Sequence, residues 1–296
     1  MALIAATGFF DGVHKGHRMV IETLCSEAAK LGAESLVVTF WPHPRTVLQN
    51  GARELRLLNS LEEKKEKLLS LGVDRVEVLD FTREFATMTS AEYLRCLKER
   101  FGVTGVLLGY DNTIGSDLLS PLEAAQVARE TGLDVVMAPG VKSGDATISS
   151  TRIRRSLSDG DVRSAAAMLG YSYSLRGVVV AGNRLGRTIG FPTANLRLYD
   201  PLKQIPGNGV YLTKVHLQGR DYWGMTNIGV KPTVSSGNEV TIETNIFGYD
   251  DECYGLDISL EFTDRIREER KFPSLNELAV QLEKDKQQCM SHEVFS

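Results

Sequence analysis

The chain has 296 residues, with 34 lysines and arginines against 38 aspartates and glutamates and a formal net charge of -4. Hydrophobic residues make up 42% and charged residues 24%, a balance that argues against global disorder and, at roughly 150 residues per domain, predicts two globular domains. No apolar run approaches the roughly 18 to 20 residues that cross a bilayer, and no basic excess offers a broad surface to phosphates, so neither a membrane nor a nucleic acid is an expected partner.

At the N-terminus no basic stretch precedes the apolar residues and no cleavage-like site follows them, so a secretory signal is not expected and the cytoplasm is the predicted compartment. An apolar strand over Leu3 to Ala6 leads through Thr7 and Gly8 into a loop. A helical pattern follows from about Gly16 to Leu31 and stops at Gly32. Ser35 to Phe40 is β-branched and apolar, the mark of a strand covered on both faces. The unit then repeats: helix near Ser60 to Leu71, strand Arg75 to Leu79, helix Ala91 to Arg100 with Thr89 and Glu92 as a capping box, strand Val106 to Gly109. Ser120, Pro121 and Glu123 read as N-cap, first-turn proline and capping glutamate of another helix, which ends at Gly132 before a strand over Asp134 to Ala138. Alternation of this kind predicts a parallel sheet with right-handed crossovers, and ligands at the carboxyl ends of its strands.

After Val141 the rhythm changes. Two short helices are predicted over Ile148 to Leu157 and Asp161 to Leu169, joined by Asp159 and Gly160. Strands follow at Leu175 to Val180, Val210 to Leu217, Asp221 to Ile228, Val240 to Phe247 and Leu256 to Phe262, punctuated by glycine-rich turns. That pattern points to a closed or nearly closed antiparallel barrel, finished by a helix over about Leu275 to Gln288. Cys25, Cys96, Cys253 and Cys289 show no CxxC spacing, so no zinc knuckle or redox pair is expected, and Cys25 and Cys96 read as buried thiols within helices.

The first stretch that carries chemistry is Gly8-Phe9-Phe10-Asp11-Gly12-Val13-His14-Lys15-Gly16-His17. Two histidines three apart at a helix start suit a polyphosphate. The helix end offers free N–H groups and a positive dipole, and imidazoles donate hydrogen bonds to charge developing on a phosphate. Zinc is a weaker alternative without a third ligand, and a solvated surface turn is the ordinary one. The second stretch is Ile148-Ser149-Ser150-Thr151-Arg152-Ile153-Arg154-Arg155, whose hydroxyls cap a helix and whose arginines suit phosphate contacts. Solvated arginines after such a cap are common, but the alternation puts this segment on the same rim as the histidine loop. Farther on, Gly182 to Thr188 imitates a Walker A loop yet is a residue short and lacks its lysine; an ordinary hairpin is the alternative. Around Glu243 the polar and apolar residues do not alternate cleanly, so its facing stays open.

Together these segments resemble a known family. The HxGH pattern of His14 and His17 with a late SSTxxR segment resembles the nucleotidylyltransferase superfamily. The wider string from Gly8 to His17, with Thr39-Phe40-Trp41-Pro42-His43-Pro44 and ISSTRIR, is similar to the FMN adenylyltransferase domain of bacterial bifunctional riboflavin kinase/FMN adenylyltransferases, the FAD synthetases. Gly186 to Asn195 is similar to the GRxxGFPTAN stretch of riboflavin kinases, and Gly224 to Thr233 and Arg267 to Phe272 match the same family in the same order. The resemblance covers nearly the whole chain.

It implies an α/β, Rossmann-like nucleotidylyltransferase domain with a parallel sheet over 1–165. Over 166–296 it implies an all-β, riboflavin-kinase-type antiparallel barrel with a terminal helix. Riboflavin would be phosphorylated by ATP to FMN in the second domain, and FMN adenylylated to FAD with release of pyrophosphate in the first, with Mg²⁺ as cofactor. In the first domain the resemblance makes His14 and His17 catalytic contacts to the phosphates and gives Gly8, Phe10 and Gly16 to the phosphate loop. Ser150, Thr151 and Arg154 bind the triphosphate end of ATP, and Asp111 the flavin. In the second domain it gives Gly182, Gly186 and Arg187 to ATP, Thr193 and Asn195 to Mg²⁺ and phosphate, and Asn227 and Arg267 to the flavin. Glu243 is the base that accepts the proton of the riboflavin 5′-hydroxyl.

Three positions depart from the family pattern. Where GxDFxFG is usual, this chain has Gly109-Tyr110-Asp111-Asn112-Thr113-Ile114-Gly115, with both aromatics replaced, and Asn245 stands where a histidine is expected. Two alternatives therefore stay open: a riboflavin kinase with an impaired first domain, and a flavin sensor without turnover.

Overall fold

Alternate residues of the first strand go to opposite sides of a sheet, which is why that strand has no polar face. In the computed structural model, which describes residues 2–48, 55–109, 114–138, 148–182, 185–233 and 237–295, β1 (Leu3–Thr7) is buried along its whole length. Leu3 and Ala5 join one apolar cluster, and Ile4 and Ala6 the other. The sheet adds β2 (Glu34–Trp41), β3 (Arg75–Asp80), β4 (Gly105–Leu108) and β5 (Asp134–Met137), all parallel, in the order β3-β2-β1-β4-β5. On one face lie α1 (Lys15–Lys30), through Ile21, Leu24 and Ala28, and α3 (Leu61–Ser70), through Leu68. On the other lie α4 (Ser90–Phe101) and α5 (Pro121–Glu130). Both carry the predicted capping boxes, Thr89 with Glu92 and Ser120 with Glu123. A short α2 (Pro44–Leu48) follows β2. The order reverses at β1, between β2 and β4, so the loop leaving β1 lies at the topological switch point, where such folds hold ligands.

The chain divides into two compact units, Met1–Ser150 and Thr151–Ser296. The helices α6 (Ser150–Ser158) and α7 (Val162–Leu169) therefore go almost wholly with the second unit, whereas the sequence reading put the division at 165/166. They pack there because the Gly207 N–H donates to the Leu157 carbonyl at 2.8 Å, and a side chain at 207 would meet the Ser158 carbonyl at 2.3 Å. The rest of this unit is β6 (Ser174–Val180), α8 (Leu185–Thr188), β7 (Ala194–Leu198), β8 (Gly209–Leu217), β9 (Arg220–Thr233), β10 (Gly237–Ile246), β11 (Asp257–Arg267) and α9 (Leu275–Met290). The strands close a barrel in the order β10-β7-β6-β11-β8-β9. Tyr211 and Phe262 pack edge to face inside it at 5.3 Å. The buried hydroxyls of Thr213, Thr226 and Thr244 satisfy one another in a chain with 2.8 Å steps.

The predicted α/β sheet and antiparallel barrel are both present. Some details differ. Strand β7 was not foreseen, and Cys25 and Cys96 are only half-buried, whereas Cys289 is the fully buried thiol. Among the described residues no helix is long and apolar enough to cross a membrane.

Candidate active sites

In the first unit the histidine loop is wound through a left-handed stretch. Phe10, Gly12 and Val13 have φ of 52°, 85° and 37°, a conformation that costs of order 1–3 kcal/mol at each non-glycine position and persists only where the surroundings impose it. The surroundings here are dense. Phe10 and Val13 are core residues, and the buried Asp11 accepts the N–H groups of Leu58 and Asn59 at 2.9 and 3.3 Å. The result places His14 as the N-cap of α1, its Nδ1 accepting the His17 N–H at 3.3 Å. The two imidazoles stack at 3.6 Å and 16°, and Phe10 meets the His17 ring edge on at 5.4 Å. Gly8 and Gly16 leave room for these rings: a side chain at 8 would touch Phe10 at 3.0 Å, and one at 16 would touch the His14 ring at 3.2 Å.

Both imidazoles are neutral at pH 7. Burial lowers the His14 pKa to about 4. The His17 pKa lies well below 6.5, chiefly through burial and then through the charges of His14 and Lys64. Geometry agrees. An Nδ1 that accepts a hydrogen bond carries no proton, which leaves the His14 proton on Nε2, and the buried Nδ1 of His17 finds no partner among the described residues for the proton an imidazolium would hold there. Two neutral N–H donors beside a helix N-terminus can hydrogen-bond a phosphate without a titrating charge. Ser150 reaches the same loop, its hydroxyl donating to the Asp11 carbonyl at 2.9 Å. Thr151, exposed, and Arg154, half-buried, continue along α6 in the second unit. Asp111 lies outside the described residues, as does Asn112. Ile114 is buried at 4% exposure in the core, so it fills apolar space where the family pattern has an aromatic ring.

In the second unit the register does the gathering. Glu243 on β10 pairs with Asn195 on β7 and with Asn227 on β9, so three expected site residues stand in one row across adjacent strands. Thr226, Thr244 and Ala194, one position along, are buried on the opposite side, which resolves the facing of Glu243: it points away from the barrel core. Thr193 closes the group, its hydroxyl donating to Glu243 Oε2 at 3.4 Å. The turn before it is tight, with the Phe191 N–H donating to the Gly186 carbonyl at 2.8 Å; a side chain at 186 would meet the Phe191 carbonyl at 2.2 Å. Likewise, a side chain at 182 would collide with the Asn195 amide at 2.3 Å. Arg187 is exposed on α8 and reaches Glu252 at 4.0 Å. Asn245 is an anchor, its amide donating to the Pro192 carbonyl at 2.7 Å and fixing the turn that carries Thr193.

Arg267 stands apart from this row. Its guanidinium grips Asp285 of α9, with Nε and Nη2 donating at 2.8 to 2.9 Å, and Asp285 is only 1% exposed. Among the described residues no cluster of three His, Cys, Asp or Glu side chains could hold a metal ion. Thr193 Oγ1, the Asn195 amide oxygen and Glu243 are the hard oxygen donors that suit Mg²⁺ shared with phosphate.

Comparison with known proteins agrees with this layout. Residues 2–152 match the family model described as FAD synthetase, and residues 169–292 the one described as riboflavin kinase. A bifunctional riboflavin kinase/FMN adenylyltransferase from Bacillus subtilis is 36% identical, over 98% of this chain and 92% of the relative. One of the same name from Listeria monocytogenes is 35% identical over 96% and 90%, and one from Escherichia coli 34% over 95% and 90%. A solved Streptococcus pneumoniae structure, described as a macrolide-efflux protein, superposes with a TM-score of 0.91 at 33% identity, covering 99% of this chain and 95% of its own.

Proposed function

Because the chain belongs to the family of bifunctional riboflavin kinase/FMN adenylyltransferases, we propose that its two activities are carried by the two residue groups just described. The enzyme phosphorylates riboflavin to FMN with ATP, and adenylylates FMN to FAD with release of pyrophosphate. In the kinase reaction Glu243 accepts the proton of the 5′-hydroxyl as that oxygen attacks the γ-phosphate of ATP. Asn195 and Thr193 hold the phosphates and, with Glu243 beside them, fit Mg²⁺. When bound, that ion supplies neutralisation of the phosphate charge. Gly182, Gly186 and Arg187 border the nucleotide, and Asn227 and Arg267 the flavin. In the adenylyl transfer the FMN phosphate attacks the α-phosphate of ATP. His14 and His17 donate hydrogen bonds to the charge that develops there, and Ser150, Thr151 and Arg154 take the departing pyrophosphate. Gly8, Phe10 and Gly16 shape the loop, Asp111 meets the flavin, and the cytoplasm is the compartment we assign.

The observation that carries this reading is the convergence of Asn195, Glu243, Asn227 and Thr193 on one outward row. A flavin sensor needs neither a base nor phosphate ligands. The test is to incubate purified protein with Mg-ATP and riboflavin, or with FMN, and to resolve the flavins chromatographically. FMN from riboflavin and FAD from FMN are expected. FMN without FAD would support a kinase with an impaired first domain, and no product would support the sensor.

A further inference from the structure

Lys64 is buried, at 2% exposure, on the apolar face of α3. Its ammonium donates to the Phe9 carbonyl and to the Thr39 hydroxyl, each at 3.0 Å, and sits 4.1 Å from the centre of the Phe9 ring. The Thr39 hydroxyl also donates to the Phe9 carbonyl, at 3.2 Å. A charge removed from water to this extent is costly unless hydrogen bonds and a counter-charge offset it. The arrangement is reciprocal: Asp11 of the loop holds the backbone entering α3, and Lys64 of α3 holds the loop backbone two residues before Asp11. Between those two ties lies Phe10, whose ring abuts His17.

We propose that Lys64 is a positioning residue for adenylyl transfer, its buried ammonium locking the backbone of the Phe9–Asp11 stretch so that the His14/His17 pair is held ready for the phosphates. The inference rests on the assignment of that loop to FAD formation. It extends the assignment to a residue that touches no substrate and acts through the Phe9 carbonyl. A neutral amine donates less strongly to that carbonyl and loses its attraction to the Phe9 ring. Burial lowers the Lys64 pKa to about 8, opposed by the charge of Asp11. The lock should therefore loosen within an accessible pH range. The titratable groups that bear on the lysine are Asp11 of the loop and His17 of α1, with Glu63 beside it on its own helix, His43 against Phe9 and His14 stacked on His17. These are carboxylates and imidazoles, groups that ordinarily ionise at or below about pH 6.5.

The experiment measures FAD formation from supplied FMN and Mg-ATP between pH 6.5 and 9.5, with riboflavin phosphorylation by the same samples as a control. Wild type, Lys64→Met, Thr39→Val and His17→Ala are compared. Wild-type FAD formation should decline above about pH 8. Lys64→Met should form FAD about 10- to 100-fold more slowly at pH 7, in kcat rather than in the KM for ATP, without that alkaline limb and with riboflavin phosphorylation intact. Thr39→Val, which keeps its shape but removes one acceptor, should shift the limb to lower pH. A wild-type rate in Lys64→Met overturns the proposal. If Lys64→Met does not fold, an alkaline limb that is the same in Thr39→Val and wild type overturns it. His17→Ala that still forms FAD overturns the assignment of the loop itself, a result distinguishable from failure of Lys64 alone.

Discussion

A strand carboxylate is ordinarily a solvated group, and what distinguishes Glu243 is its neighbours: two asparagines opposite it and a threonine hydroxyl on Oε2. Glu243→Gln keeps the shape and the hydrogen bonding but cannot accept a proton. Riboflavin phosphorylation should fall by about 10² to 10⁴-fold, while FAD formation from supplied FMN stays unchanged, both read by flavin chromatography. The histidine pair makes a prediction about stability. In an unfolded chain these imidazoles titrate near 6.5, whereas in the fold His14 titrates near 4 and His17 well below 6.5. As pH falls through that window the unfolded chain takes up protons first, so the stability of the first unit should drop between about pH 6.5 and 4. Denaturant unfolding at several pH values should show this slope, and the His14→Gln/His17→Gln double variant should flatten it. Much at this scale was legible. The spacing of His14 and His17 at a helix start is legible as the paired imidazoles that the fold stacks there, but Lys64 is not. A lysine in phase with Leu61 and Leu68 on the apolar stripe of α3 was the available signal, and lysine is usually assumed to be solvated.

Elements covered on both faces were easiest to read, because β1 and the centre of β2 are apolar, and α3, α4 and α5 begin with capping boxes. The barrel was harder. Strand β7 is five residues long and follows a proline turn, so local pattern gave it no weight. The strand predicted over Asp221 to Ile228 stops short of the observed end of β9 at Thr233. Residues 229–233 continue the strand in register with β10. The Arg267 to Asp285 grip was also invisible in sequence, since the partners lie 18 residues apart on different elements. That grip ties α9 to the end of β11. Asp285→Ala leaves a largely buried guanidinium unpaired, which costs about 3–5 kcal/mol. The second unit should therefore melt several degrees earlier, and replacing both partners, as in Arg267→Met/Asp285→Leu, should recover most of that loss. Calorimetry of the single and double variants measures the difference.

At the scale of the whole molecule, the change from long apolar strands to short glycine-punctuated ones announced two architectures, and the chain does divide into two compact units. Each is built around apolar side chains of its own. The product of the kinase reaction is the substrate of the adenylyl transfer, so an enzyme blocked at one step retains the machinery for the other. His17→Ala should accumulate FMN from riboflavin, and Glu243→Gln should convert only supplied FMN. Mixed in equal amounts with riboflavin and Mg-ATP, the two variants should together make FAD, after a lag during which FMN released by the first reaches the concentration the second requires. The lag should shorten as the His17→Ala protein is increased, and added FMN should abolish it. FMN accumulation without FAD in the mixture, while Glu243→Gln alone still converts added FMN, would mean that the intermediate does not pass through solution and that the two activities are coupled within one molecule.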